Sequence, residues 1–109
     1  MARLRTHPGE VLREEYLVPL GLSARGLAKL LGVPANRLTE IMRGTRDVSA
    51  DTAIRLGRYF GTDPRFWLNL QARYDLEMQR DRLGKRLDAE VHAFRPAKTV
   101  RSAFVRKAK

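Results

Sequence analysis

Asn36, Arg37, Thr39, Glu40 and Arg43 lie within the eight residues 36–43, and together they form the side-chain set that tells base pairs apart in the major groove of B-DNA. Asn pairs with adenine, Arg with guanine and Glu with the cytosine amino group, while small groups such as Ala35 and the Thr39 methyl suit the thymine methyl. A lone Asn or Arg would mean little; the set carries the information. Before it stand Ser23 and Arg25 and after it Thr45 and Arg46, residue types that bind phosphates and so position a protein without reading sequence. Other chemistries have little to work with. There is no Cys, and the only imidazoles, His7 and His92, lack any metal-ligand or nucleophile-activating spacing. No catalytic residue, metal site or cofactor is expected, and the chain reads as a binding protein rather than an enzyme.

The elements that must position this set are two short helices. Ser23 stands where an N-cap belongs, and Leu27, Leu30 and Leu31 follow at helical spacing. Gly32 closes this helix by supplying a left-handed residue, Pro34 opens the next, and Gly44 ends it. A helix pair joined by so short a turn packs at a steep angle and projects its second member outward, which defines a helix-turn-helix unit over about residues 23–44. Leu27, Ala28, Leu31, Val33, Leu38 and Ile41 can all face inward, with the small Ala28 allowing close approach. The alternative is a capped helical hairpin whose polar face is merely solvated. Against it stands the charge of +4 over residues 23–46, from Arg25, Lys29, Arg37, Arg43 and Arg46 against Glu40.

Elsewhere Gly and Pro punctuate the chain at helical intervals and no stretch alternates like a strand, so the fold class is all-α, with five helices. The first spans about 8–18, with Val11, Leu12 and Tyr16 on one face and Pro19 as its end. Ser49 caps a fourth, in which Leu56, Tyr59 and Phe60 form the apolar face. Asp63-Pro64 starts a fifth carrying Phe66, Trp67, Leu70, Tyr74 and Met78, able to continue, with a kink near Gly84, through Leu83, Leu87 and Val91.

The chain carries 22 Lys and Arg against 12 Asp and Glu, a formal charge of +10, which makes polyanions the leading partner class. Six of the cations and no acid fall in residues 91–109, leaving +4 for residues 1–90. The expected division is a DNA-binding domain over 1–92 and a basic tail over 93–109, disordered in isolation because it offers too few apolar groups to offset its ordering entropy. No apolar run is long enough for a membrane span and the N-terminus has no export signal, so the expected location is the cytoplasm.

The stretch LAKLLGVPANRLTEIMRGTRDVSADTAIRLGRYFGTDPRFWLNLQARYDL, with HPGEVLREEYL upstream, resembles the HigA/VapI-type antitoxins of bacterial toxin–antitoxin modules. These belong to the helix-turn-helix group that also contains phage repressors. The resemblance covers about residues 7–80, and HPGEVL, the SADTA segment and FWLNLQ are more specific than the helix-turn-helix itself. It implies a five-helix, phage repressor-like fold and a homodimer on a palindromic operator in double-stranded DNA. It also implies repression of the protein's own operon and binding to a neighbouring HigB-like, RNA-cleaving toxin. By matching motif, the recognition helix is Pro34–Arg43. A stand-alone transcriptional regulator without a toxin is the alternative.

Within this frame Phe66 and Leu70 are expected in the core, and Trp67 and Tyr74 at a dimer or toxin surface. Glu10, Glu14 and Glu15 form a solvated face or a contact with a basic toxin. The tail has several possible roles: wrapping DNA, binding the toxin, resting on an anionic membrane or none of these. His7 reads as an ordinary helix-entry residue.

Overall fold

The computed structural model describes residues 6–96, which form six helices and no strand. The last thirteen residues of the expected tail lie outside the described residues. Helix α1 occupies residues 8–20. It opens with His7, whose Nδ1 accepts the Gly9 N–H at 2.9 Å, and with Pro8 in its first turn, where a missing N–H costs nothing. The sequence predicts an end before Pro19, yet α1 continues to Leu20. Over Leu12–Leu17 it widens into π-helix, with the Val18 N–H donated five residues back to Arg13, before an α turn over Val18–Leu20. This wider register carries the chain through Pro19 without the bond that its absent N–H could not make.

Four further helices follow as the caps dictate: α2 (Ala24–Leu31), α3 (Ala35–Arg43), α4 (Ala50–Phe60) and α5 (Pro64–Leu83). Ser23, Ser49 and Asp63 each accept a first-turn amide with their side chains. Helix α5 breaks at Gly84, where φ 48° and ψ −138° suit glycine alone, and a short α6 (Arg86–Glu90) follows. The anticipated kink is therefore a full interruption.

Leu12, Leu17, Leu27, Leu38, Ile41, Leu56 and Trp67 form the centre of the core. Trp67 corrects one expectation. It is 0% exposed, its Nε1–H donates to Thr62 Oγ1 at 2.9 Å, and its ring lies 5.2 Å from that of Tyr16. A fully buried indole has no surface to offer a second copy. Its neighbour Phe66, expected inside, is exposed and meets Trp67 edge-on at 4.9 Å. Tyr74 is half-buried against His7, ring centroids 4.9 Å apart.

The start of α1 rests on the end of α3. A Cβ on Gly9 would run into the Ile41 carbonyl oxygen and lie 2.8 Å from its carbon and 3.1 Å from Met42 Cα. The HPG segment thus has three local tasks: a cap, a first-turn proline and a backbone-to-backbone contact that supports the end of α3.

Candidate nucleic-acid interface

Helices α2 and α3 owe their arrangement to the turn between them. Gly32 takes the left-handed conformation at φ 73° and donates to the Ala28 and Lys29 carbonyls, while the Val33 N–H reaches Ala28 O at 3.0 Å. Ala28 is buried, as are Leu27 and Leu31 on α2 and Leu38 and Ile41 on α3, so the two apolar stripes are spent on one another and on the core. The opposite edge of α3 faces outward. Its N-terminus begins at Pro34, which has no side-chain cap to give, so first-turn amides remain available to a phosphate or a base edge.

The predicted readers are not equally free. Asn36 and Arg43 are exposed, and neither has an ion-pair partner among the described residues. Ala35 is half-buried and lines a shallow depression with Arg25, Lys29 and Val33, so small-group and phosphate chemistry adjoin there. Thr39 turns its hydroxyl back to the Asn36 carbonyl at 3.4 Å, leaving the methyl as its distinctive outward group. Glu40 Oε1 receives both Nε and Nη2 of Arg46, at 2.8 and 2.7 Å, so these two residues act as a pair. Arg37 Nη1 lies 2.7 Å from Asp51 Oδ1, so this predicted reader is already paired in the chain by itself.

The phosphate candidates divide in the same way. Ser23 Oγ accepts the Gly26 amide at 2.9 Å, which leaves its hydroxyl proton to donate elsewhere. Arg25 is exposed with no carboxylate partner among the described residues. Thr45 closes the α3 end, its N–H and Oγ1 both donating to the Glu40 carbonyl at 3.0 and 3.2 Å. Arg46 is committed to Glu40.

Sequence reasoning missed the residue that holds the 44–49 loop carrying Thr45 and Arg46. Gln71, buried on α5, accepts the Val48 N–H at 2.8 Å and donates to Asp47 at 3.2 Å and Asp75 at 3.0 Å. Its signal was present: 67, 71, 74 and 78 share one helix face, and a glutamine in that stripe must satisfy its amide. His7 was underrated as well. Burial pushes its imidazole below the ordinary 6.5, against an opposing pull from Asp47 and Asp75. With Nδ1 accepting from Gly9, the proton of the neutral ring sits on Nε2, which is buried without a hydrogen-bond partner. Asp51 is held below the usual carboxylate range by the Arg55 hydrogen bond first and that of Arg37 second. Among the described residues no cluster of three or more metal-binding side chains exists, and no helix is long and apolar enough to cross a membrane.

The geometry agrees with known proteins. The family described as Helix-turn-helix matches residues 12–67, from the first core leucine of α1 to the buried tryptophan of α5. Virulence-associated protein I of Dichelobacter nodosus is 61% identical over 72 residues, 66% of this chain and 67% of that protein. An addiction module antidote protein of a HigA family from Coxiella burnetii superposes with a TM-score of 0.78 at 48% identity, over 83% of this chain and 98% of that one. The chain belongs to the helix-turn-helix family, in its HigA/VapI-type branch. Within that branch, the Pseudomonas aeruginosa antitoxin HigA, solved with the higBA promoter, reaches a TM-score of 0.80 at 43% identity over 84% of this chain and 99% of its own. The HigA/VapI-type resemblance and its all-helical, repressor-like fold are borne out.

Proposed function

We propose that this protein is a sequence-specific DNA-binding repressor and the antitoxin of a HigB/HigA-type module. It acts in the cytoplasm, represses its own operon, and holds an RNA-cleaving toxin inactive. It binds partners and transforms no substrate. One observation carries the reading: the outer edge of α3 presents exposed, uncommitted Asn36 and Arg43 on a scaffold that matches an antitoxin solved on its promoter. Asn36 and Arg43 read base edges, with Ala35, Thr39 and the Glu40–Arg46 pair beside them, and Ser23 and Arg25 hold the flanking phosphates.

A single short helix reads too few bases for useful discrimination, so the protein works as a homodimer on an inverted repeat. With Trp67 buried, the dimer surface is best sought further along the chain. Past Gln71, α5 buries none of its residues fully. Leu76, 53% exposed, and Leu83 lie seven residues apart on α5, a spacing that suits a helical seam.

The experiment is selection of duplexes from a randomised pool by the full chain, followed by sedimentation of the complex. The expected result is an inverted repeat with half-sites about 34 Å apart, one helical turn, bound by two chains. A single half-site bound by one chain would overturn the dimer, and no enriched sequence would overturn the repressor.

A further inference from the structure

Arg43 and Arg37 are the two cations of α3, and the structure treats them differently. Arg43 is exposed and unpaired among the described residues, whereas Arg37 has a side-chain exposure of 28% and lies 2.7 Å from Asp51 Oδ1. Asp51 stands in the first turn of α4, where the positive helix end favours a carboxylate. The same oxygen accepts Arg55 Nε at 2.7 Å, and Arg55 Nη1 continues to the Leu31 carbonyl, at the end of α2, at 2.8 Å. A single carboxylate oxygen therefore links the end of α2, the face of α3 and the start of α4. These helices set the angle at which α3 meets a groove. Reading guanine needs two guanidinium N–H groups aimed together at O6 and N7, and an arginine drawn sideways to a carboxylate is not poised for that.

We infer that Asp51 is a positioning residue for operator recognition: it withdraws Arg37 from base reading and uses it, with Arg55, to clasp α3 to α2 and α4. The inference rests on the DNA-binding function proposed above. Two guanidinium groups on one carboxylate leave a net +1 at the clasp, so Asp51 can stand near the phosphate backbone without repelling it. Removing the carboxylate charge has two consequences. The freed guanidinium groups turn to phosphates, which adds sequence-independent affinity, and α3 loses a brace, which blurs discrimination.

The test uses the full chain, the duplex it selects and a scrambled duplex, titrated over a range of salt. Arg37→Gln, which also opens the clasp on α3, is expected to lower discrimination evenly across positions without relaxing the preference at any one base, and to keep the salt slope of the wild type. Asp51→Asn is expected to bind scrambled DNA several-fold more tightly, to discriminate less, and to steepen the slope by about 0.9 for each arginine that reaches a phosphate. The double variant Asp51→Asn/Arg37→Gln should return the slope toward the wild type, and Asp51→Glu should restore discrimination. A purely structural carboxylate would lower the melting temperature without steepening the slope, and that result overturns the proposal. So does a preference lost at one operator position alone in Arg37→Gln, which would make Arg37 a direct reader. If Asp51→Asn fails to melt cooperatively, the Arg37→Gln selection decides alone. A wild-type chain that selects no duplex would refute the DNA-binding function itself, a result separate from these.

Discussion

Gly9→Ala adds one methyl group where the structure has no room for it. The new carbon would meet the Ile41 carbonyl oxygen head-on and lie 2.8 Å from the carbonyl carbon, against an ordinary contact of 3.4 Å or more. Even for the carbon, the start of α1 must retreat by about 0.6 Å. The obstacle is backbone, so no side-chain rotation relieves it. Overpacking of this kind costs about 3 kcal/mol, at the upper end of its usual range. Alanine recovers at most about 1 kcal/mol through helix propensity, so the net loss is about 2 kcal/mol. For a domain of this size that lowers Tm by about 8–16 °C. Because the displaced contact supports the end of α3, discrimination at the base read by Arg43 should also weaken. Thermal melts and titrations against the selected duplex measure both effects. Gly21→Ala is the control: its φ is +66° and a Cβ there meets nothing within 4 Å, so it carries a backbone cost alone and leaves base preference intact. A Gly9→Ala protein that melts with the wild type would refute the close approach of α1 to α3.

Asn36→Ala and Arg43→Ala should each cost about 1–3 kcal/mol on the selected operator and relax preference at one position, whereas Arg25→Ala should weaken all duplexes alike and reduce the salt slope by about 0.9. Competition titrations at several salt concentrations separate the two patterns, and unchanged preference in both α3 variants would disprove the reading edge. Gln71→Met keeps the volume but strands the buried Val48 N–H, at an expected cost of about 1–3 kcal/mol, read by chemical denaturation. Equal stability would mean that the loop finds another acceptor. The His7 pKa is lowered in the fold, so the unfolded chain takes the proton first. The stability gained from neutral His7 is complete above 6.5 and is lost as pH falls through the depressed folded value. Melts of the wild type should therefore fall from pH 6.5 downward more steeply than those of His7→Asn, and parallel profiles would exclude the His7 cap as the cause. The Asp51 and Asp63 carboxyls are also lowered, by arginine hydrogen bonds, and titrate below 3.8, outside that window.

What the sequence alone determined was set by forces acting within a few residues. Ser23, Gly32, Pro34 and Gly44 mark the ends of α2 and α3 because caps and left-handed closures depend on neighbours three or four positions away. The 3.6-residue period then divides Leu38 and Ile41 from Asn36 and Arg43 without reference to the rest of the chain. The resemblance of HPGEVL and FWLNLQ to a family extended this to the fold. Only the tertiary structure decided which outward side chains were already committed. Arg37 meets Asp51 fourteen residues away and Gln71 meets the Val48 amide across twenty-three, separations at which no local pattern acts. It also decided the phase of α5. Phe66 and Trp67 are adjacent aromatics, equally apolar in sequence, and the difference between core and surface came from the pocket beside Tyr16 and the Thr62 hydroxyl that received the indole. Passage through Pro19 was likewise a tertiary outcome. Leu12 and Leu17, 1% and 2% exposed, are both drawn into the core, and a π-helical segment leading up to the proline meets that demand where local propensity alone would have ended the helix.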